Sequence, residues 1–259
     1  MPRRYTWEMT SARPLSGRAF AQLFALEARA KVGGLLLGAL LAAGLNVFIA
    51  WRLPNPQLQA AVALLVAALP SLYWVFGGLG AFTPEFGSGA HLLLRSVPAS
   101  GLTVVLAKYA WLLIELVVLA ALLAGSALYF LNGVVPLREV VFAPGGGARL
   151  ALIAGCGLLV PPAIALAAGV VGRASRWHLL GGFAAFALLW WSFALLFGAA
   201  GGLNALGSAS VTFARLPSEV CAVRGDCFLR VSNAALLLQP ALALFLLWLA
   251  GRTLDSLDG

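Results

Sequence analysis

Long unbroken apolar runs, separated by short polar stretches, set the pattern of this chain. Six runs cover about residues 32–51, 59–82, 104–131, 149–171, 179–200 and 233–250. Each is long enough to cross roughly 30 Å of hydrocarbon at about 1.5 Å per helical residue. The runs are continuous rather than alternating, so they do not read as the strands of a membrane barrel. The pattern predicts an all-α integral membrane protein with six transmembrane helices. It forms one transmembrane domain over 1–259, with an arm at 1–31, a bundle at 32–250 and a tail at 251–259.

The segments between the runs refine this picture. In LSGRAFAQLFALEARAK, residues 15–31, Phe20, Leu23, Phe24 and Ala28 recur at helical spacing, with Arg18, Gln22 and Arg29 elsewhere on the wheel. This predicts an amphipathic interface helix lying on the membrane surface, the alternative being a plain extension of the first span. The longest connector, about 201–232, is too polar to span and too apolar for a solvated tail. Short re-entrant or interfacial helices suit it. Pro161-Pro162 is expected to break or kink the fourth span. Gly34 and Gly38 form a G-x-x-x-G that lets helices approach closely.

Composition agrees: 62% of residues are hydrophobic and 10% charged, against about a quarter charged in soluble domains. Too few polar residues remain to clothe a soluble domain. The net charge of +8 comes from arginines scattered at the ends of apolar runs, which orient helices and meet lipid headgroups rather than nucleic acid. Eleven of the 17 lysines and arginines fall on the side of the N-terminal arm, including Arg3, Arg4, Arg13, Arg18, Arg29 and Lys31. Both termini are therefore expected in the cytoplasm, with the chain in the inner or plasma membrane. The polar-to-mixed stretch before the first run, roughly thirty residues, is too long for the n-region of a signal peptide.

Candidate chemistry is sparse. Cys221 and Cys227 enclose five residues in the outer connector; an oxidising compartment would favour a disulfide there, free thiols being the alternative. Cys156 reads as a packing residue. The two histidines, His91 and His178, lack a metal-site neighbourhood, and no metal is expected. The only lysines, Lys31 and Lys108, each follow alanine, so no G-K-[S/T] phosphate loop exists. The chain is expected to be no enzyme and to bind no cofactor itself. Glu115 lies inside the third run, and an intramembrane carboxylate faces a cavity, a partner or a neighbouring helix. It contacts a substrate or proton, or it makes a structural hydrogen bond. Tyr73, Trp74, Trp190 and Trp191 are candidate path residues, although interface aromatics usually serve as anchors.

The connector after the second run, PEFGSGAHLLLRSVPAS, is oddly elaborate. Its Glu85, Gly89, Leu93, Leu94, Ser96, Val97, Pro98 and Ser100, followed by Lys108, resemble a signature of ABC-2 type transporter permeases. Gly101 departs from it, since the family commonly has arginine there. The resemblance implies six spans in the ABC-2, type V exporter-like architecture. It implies that about 84–98 form a cytoplasmic coupling helix docking on a separate ATPase subunit. Leu92, Leu93 and Leu94 would give the apolar face, Glu85, Gly89, His91 and Arg95 its surroundings, and Pro98 its end. It further implies two ATPase copies, which hold ATP and Mg, and a second permease chain, identical or related. The alternative is a non-transporting scaffold of the same fold that passes mechanical work to a periplasmic partner, as in metalloenzyme maturation.

Overall fold

A computed structural model of the chain describes residues 17–67, 75–82, 99–134, 146–174, 178–202, 207–213 and 227–257. The elements are α1 (Gly17–Arg52), α2 (Pro56–Ala67), α3 (Gly101–Leu131), α4 (Gly146–Ala174), α5 (His178–Gly202), β1 (Ser208–Phe213), β2 (Cys227–Ser232) and α6 (Asn233–Leu257). A helical turn occupies 75–79 between α2 and α3. Among the described residues, α1, α3, α4, α5 and α6 are each long and apolar enough to cross a membrane. The chain is a helical, multi-pass membrane protein.

Two expectations are corrected here. The N-terminal interface helix is not a separate element: α1 runs unbroken through 36 residues, about 54 Å at the helical rise. No Pro, Ser, Thr or Asp interrupts Gly17–Arg52, and the helix runs on through Gly33-Gly34, where a glycine stop could have ended it. The connector at 201–232 is not built from re-entrant helices in its described parts. Ser208–Phe213 and Cys227–Ser232 pair antiparallel, Ser208 opposite Ser232 and Phe213 opposite Cys227. Val211, Thr212, Phe213 and Val231 favour a pleated strand over a helix, and the all-α class gains this one ribbon.

Of the break or kink expected at the proline pair, no break occurs. Pro161 and Pro162 lie inside α4 without ending it. They remove the N–H donors to the carbonyls four residues back, at Gly157 and Leu158. The Tyr109 hydroxyl donates to the next carbonyl, that of Leu159, at 2.8 Å. A neighbouring helix thus supplies polar contact where the ladder is weakened. The sixth helix continues past the expected boundary at 250 to Leu257.

Contacts define how the helices run. Glu27–Lys108 and Asn46–Ser126 hydrogen bonds join α1 to α3 across 81 and 80 positions, and Gly38 meets Leu119 at the same spacing. A constant offset means that α1 and α3 are parallel and in register. The described parts of the intervening chain run the other way. Ala60 and Ala63 cluster with Ala127 and Phe130, and Val66 with Leu123. Further on, Val75 packs on the cluster of Leu116 and Ala165, and Ala81 and Phe82 reach Lys108.

The main core joins α3, α4, α6 and residues 81–82. Pro162 through Val170 are all buried, so α4 is enclosed on every side there. By contrast, α1 and α5 present long apolar faces outward, including Leu37, Leu40, Leu188 and Trp191. Ser232 ties the ribbon to the bundle. Its hydroxyl donates to the Ala200 carbonyl at 2.8 Å and accepts from the Ala235 N–H at 3.1 Å, capping α6.

Small residues set the closest crossings. A Cβ on Gly78 would lie 2.4 Å from that of Ala165, and one on Gly251 would lie 2.7 Å from the Leu102 Cα. Helices approach this closely only where side chains are missing. Gly251→Ala is therefore expected to lower the thermal unfolding midpoint in detergent, by about 1–3 kcal/mol of overpacking. Gly34→Ala, with nothing within 4 Å of the new methyl, is expected to lose nothing. Equal midpoints for the two variants would contradict this packing.

Candidate functional site

Charged groups are costly in a bilayer, so those that are buried there point to function or to essential structure. Lys108, in the second turn of α3, has only 3% of its side chain exposed. Its ammonium has three N–H donors to satisfy. It donates to Glu27 Oε1 on α1 and to the Ala81 carbonyl at 2.9 Å. It also stands 5.3 Å from the centre of the Phe82 ring, a cation–π distance.

Glu27 is shared. Its second oxygen pairs with Lys31 at 3.2 Å, one helical turn along α1. Thus Lys31, Glu27 and Lys108 form a chain of charges from α1 to α3. Phe24 extends the contact, meeting Trp111 edge-on at 5.8 Å. Trp111 in turn donates its indole N–H to Glu115 Oε1 at 2.7 Å. Breaking one partner from a buried pair costs about 3–5 kcal/mol, so this network holds α1 against α3.

A cleft of about 330 Å³ opens beside the network, between α1, the turn at 75–82 and α3. Lys31 and Gly34 line it from α1, Phe76, Gly77 and Gly80 from the turn, and Glu115 from α3. Glu115 is itself 1% exposed. Of the candidate path residues, Glu115 therefore combines a structural hydrogen bond with a position on a cleft. Trp190 lies elsewhere. It stacks along α5 with Phe186 at 6.0 Å and Phe193 at 5.8 Å, away from that lining. Trp191 projects outward from the bundle. Tyr73 and Trp74 lie outside the described residues.

The connector residues Glu85, Gly89, His91, Leu92, Leu93, Leu94, Arg95 and Pro98 also lie outside the described residues, but both of its flanks are described. On one side, Ala81 and Phe82 are held by Lys108. On the other, Ser100 caps α3, accepting from the Thr103 N–H at 3.3 Å. The Gly101 N–H then donates to Asp255 Oδ1 of α6 at 2.7 Å. A Cβ at Gly101 would fall 2.5 Å from the Gly251 carbonyl oxygen, so this position admits no side chain.

Cys221 lies outside the described residues and Cys227 opens β2. Cys156 is a free thiol on α4. Gly38 of the G-x-x-x-G packs on Leu119 within the chain, while Gly34 stays open. Among the described residues no cluster of three or more metal-ligating side chains exists.

Sequence reasoning missed Glu27 and Asp255. The signal for Glu27 was present: an acid four residues before Lys31, in a stretch with few charges, favours an i,i+4 pair. Its long-range partner, 81 positions away, had no local mark. No protein-family model, curated protein or solved structure matches this chain.

The shared carboxylate predicts unequal costs. Glu27→Gln removes the acid that two lysines share and is expected to destabilise the fold by about 3–5 kcal/mol. Lys108→Met keeps the Glu27–Lys31 pair and is expected to cost less. Adding Glu27→Gln to Lys108→Met is expected to cost less than Glu27→Gln alone in the parent chain. Chemical unfolding of the three variants in micelles measures this, and strictly additive losses would contradict the network.

Proposed function

We propose that this chain is the membrane-spanning permease subunit of an ATP-driven, ABC-2 type exporter. A separate ATPase subunit, in two copies carrying ATP and Mg, docks on residues 84–98. A second permease chain completes the transport path. The observation that carries this reading is the anchoring of both flanks of that connector. Its start is tied through Lys108 to α1 and α3. Its end enters α3 through the Ser100 cap and the Asp255 contact from α6. Any push on the connector is thereby delivered to three long helices at once. A loop that merely joined two spans would need no such attachment.

The run of contacts supports six crossings. Because α1 and α3 are parallel, the chain between them must return across the bilayer. The antiparallel contacts of α2 at one end of α3 and of residues 75–82 at the other trace that return. The last turns of α6 lie beside the first turn of α3, and Glu27 near the start of α1 lies close by. Both termini then sit on the connector's side, the cytoplasm by the distribution of lysine and arginine.

In this arrangement ATP-driven closure of the two ATPases moves the connectors, and α1, α3 and α6 follow. The ribbon between α5 and α6 faces the outer compartment, where Cys221 and Cys227 pair and stiffen it.

Two measurements test the reading. Glu85→Ala and Leu93→Asp are expected to reduce ATPase co-purification severalfold while the chain still inserts and keeps its thermal midpoint; unchanged co-purification and transport in both would sink the docking assignment. Non-reducing mass mapping is expected to recover a Cys221–Cys227 link, and two free thiols in protein isolated without reductant would refute the pairing.

A further inference from the structure

Two packed helices lose hydrogen-bond donors at one level of the bundle. Pro161 and Pro162 lie inside α4, and Pro240 lies inside α6. A helical carbonyl takes its hydrogen bond from the amide four residues on, or three on in a tighter turn. For Leu158 those positions are Pro162 and Pro161, and neither has an N–H. The Leu158 carbonyl is thus stripped of both donors, whereas Gly157 keeps the Val160 amide and Leu236 keeps that of Gln239. The Tyr109 hydroxyl has one proton, and the Leu159 carbonyl takes it.

Gln239 stands beside this stretch on α6. Its side chain is 5% exposed, and its amide oxygen accepts no hydrogen bond from any described residue. That oxygen faces Gly157. A Cβ built on Gly157 would lie 3.8 Å from Gln239 Oε1, with no other atom beyond its own stretch of helix within 4 Å. The glycine therefore leaves room for one small group next to the oxygen. Both residues lie within membrane-spanning lengths of helix, where a bare acceptor is costly and bulk water does not reach.

Chemistry narrows what serves these two acceptors. It must donate hydrogen bonds, since the Gln239 oxygen and the Leu158 carbonyl can only accept. It must be neutral, since neither group balances a charge and a lone cation would stand uncompensated at low dielectric. It must be small, since the oxygen is enclosed and the open space is that of a missing side chain. Water has two O–H donors for two acceptors, no charge and the size of a methyl group. Buried waters bridge polar groups of this kind.

We infer that one water molecule is bound between α4 and α6, donating one O–H to Gln239 Oε1 and the other to the Leu158 carbonyl. It replaces the donors that the proline pair removes, and α4 continues as a helix through both prolines. This inference stands whether or not the chain pairs with an ATPase.

Radiolytic footprinting of the full chain in nanodiscs tests it. X-ray pulses split water into hydroxyl radicals that oxidise the side chains beside it, and peptide mass spectrometry reads the positions. Leu158 is expected to be oxidised several-fold faster than Leu188, an exposed leucine within the span of α5. Gly157→Ser places a hydroxyl donor beside Gln239 Oε1, and Gln239→Leu removes that acceptor. Each is expected to bring Leu158 down to the Leu188 rate. Gly157→Ser is also expected to hold or raise the thermal midpoint, because its hydroxyl takes over the bond to Gln239. Equal oxidation of the two leucines in the parent chain would overturn the proposal, and so would a Leu158 rate unchanged in either variant. A parent midpoint that rises in sodium chloride over choline chloride at equal ionic strength would assign the site to a cation and overturn it as well.

Discussion

A lysine buried among helices must find its hydrogen bonds within the protein, and much of this structure depends on how Lys108 does so. Its ammonium draws in Glu27 from α1, the Ala81 carbonyl from the end of the returning chain, and the face of Phe82. Apolar contacts between membrane helices have no hydrophobic driving force behind them, because lipid tails are as apolar as leucine. They permit sliding. A shared carboxylate does not, since a shift of one turn would leave a buried charge unpaired. The register of α1 against α3 follows, and with it the contacts of Gly38 on Leu119 and Asn46 on Ser126.

The second determinant is the absence of side chains at the crossings. Gly78 lies against Ala165, and Gly101 and Gly251 let α3 and α6 touch backbone to backbone. The Gly101 contact leaves the first amide of α3 facing Asp255, so a carboxylate completes the helix N-terminus where charge and dipole agree. Gly101 is therefore a requirement of this interface. The residues that flank the connector are held by charge on one side and by a carboxylate-capped helix start on the other. Both attachments are polar contacts at the edge of an apolar bundle, suited to passing on a displacement rather than absorbing it.

Much of the span pattern was readable from the sequence, because hydrocarbon thickness and helical rise leave few alternatives for runs this long. Glu115 was readable as a residue needing a partner. The continuity of α1 was harder: Phe20, Leu23 and Phe24 look amphipathic locally and Gly33-Gly34 offer a stop, yet with no proline in Gly17–Arg52 the helix runs through them. The ribbon was missed because residues 201–232 were judged by polarity, whereas SASVTF and CFLRVS carry a strand preference that only pairing reveals. The Glu27–Lys108 bond was out of reach for another reason. It depends on two helices being parallel and in register, a property that arises only once the whole bundle is assembled. The burial of Lys108 follows from what packs over it.

The central claim is that Lys108 joins α1, residues 81–82 and α3 into one body at the foot of the connector. Hydrogen–deuterium exchange of the Lys108→Met variant against the parent chain, in the same micelles, tests it most directly. The account predicts faster exchange together at residues 25–31 of α1 and 79–82 of the turn, although neither segment carries the substitution. Faster exchange confined to the α3 amides around residue 108, with both distant segments unchanged, would contradict it.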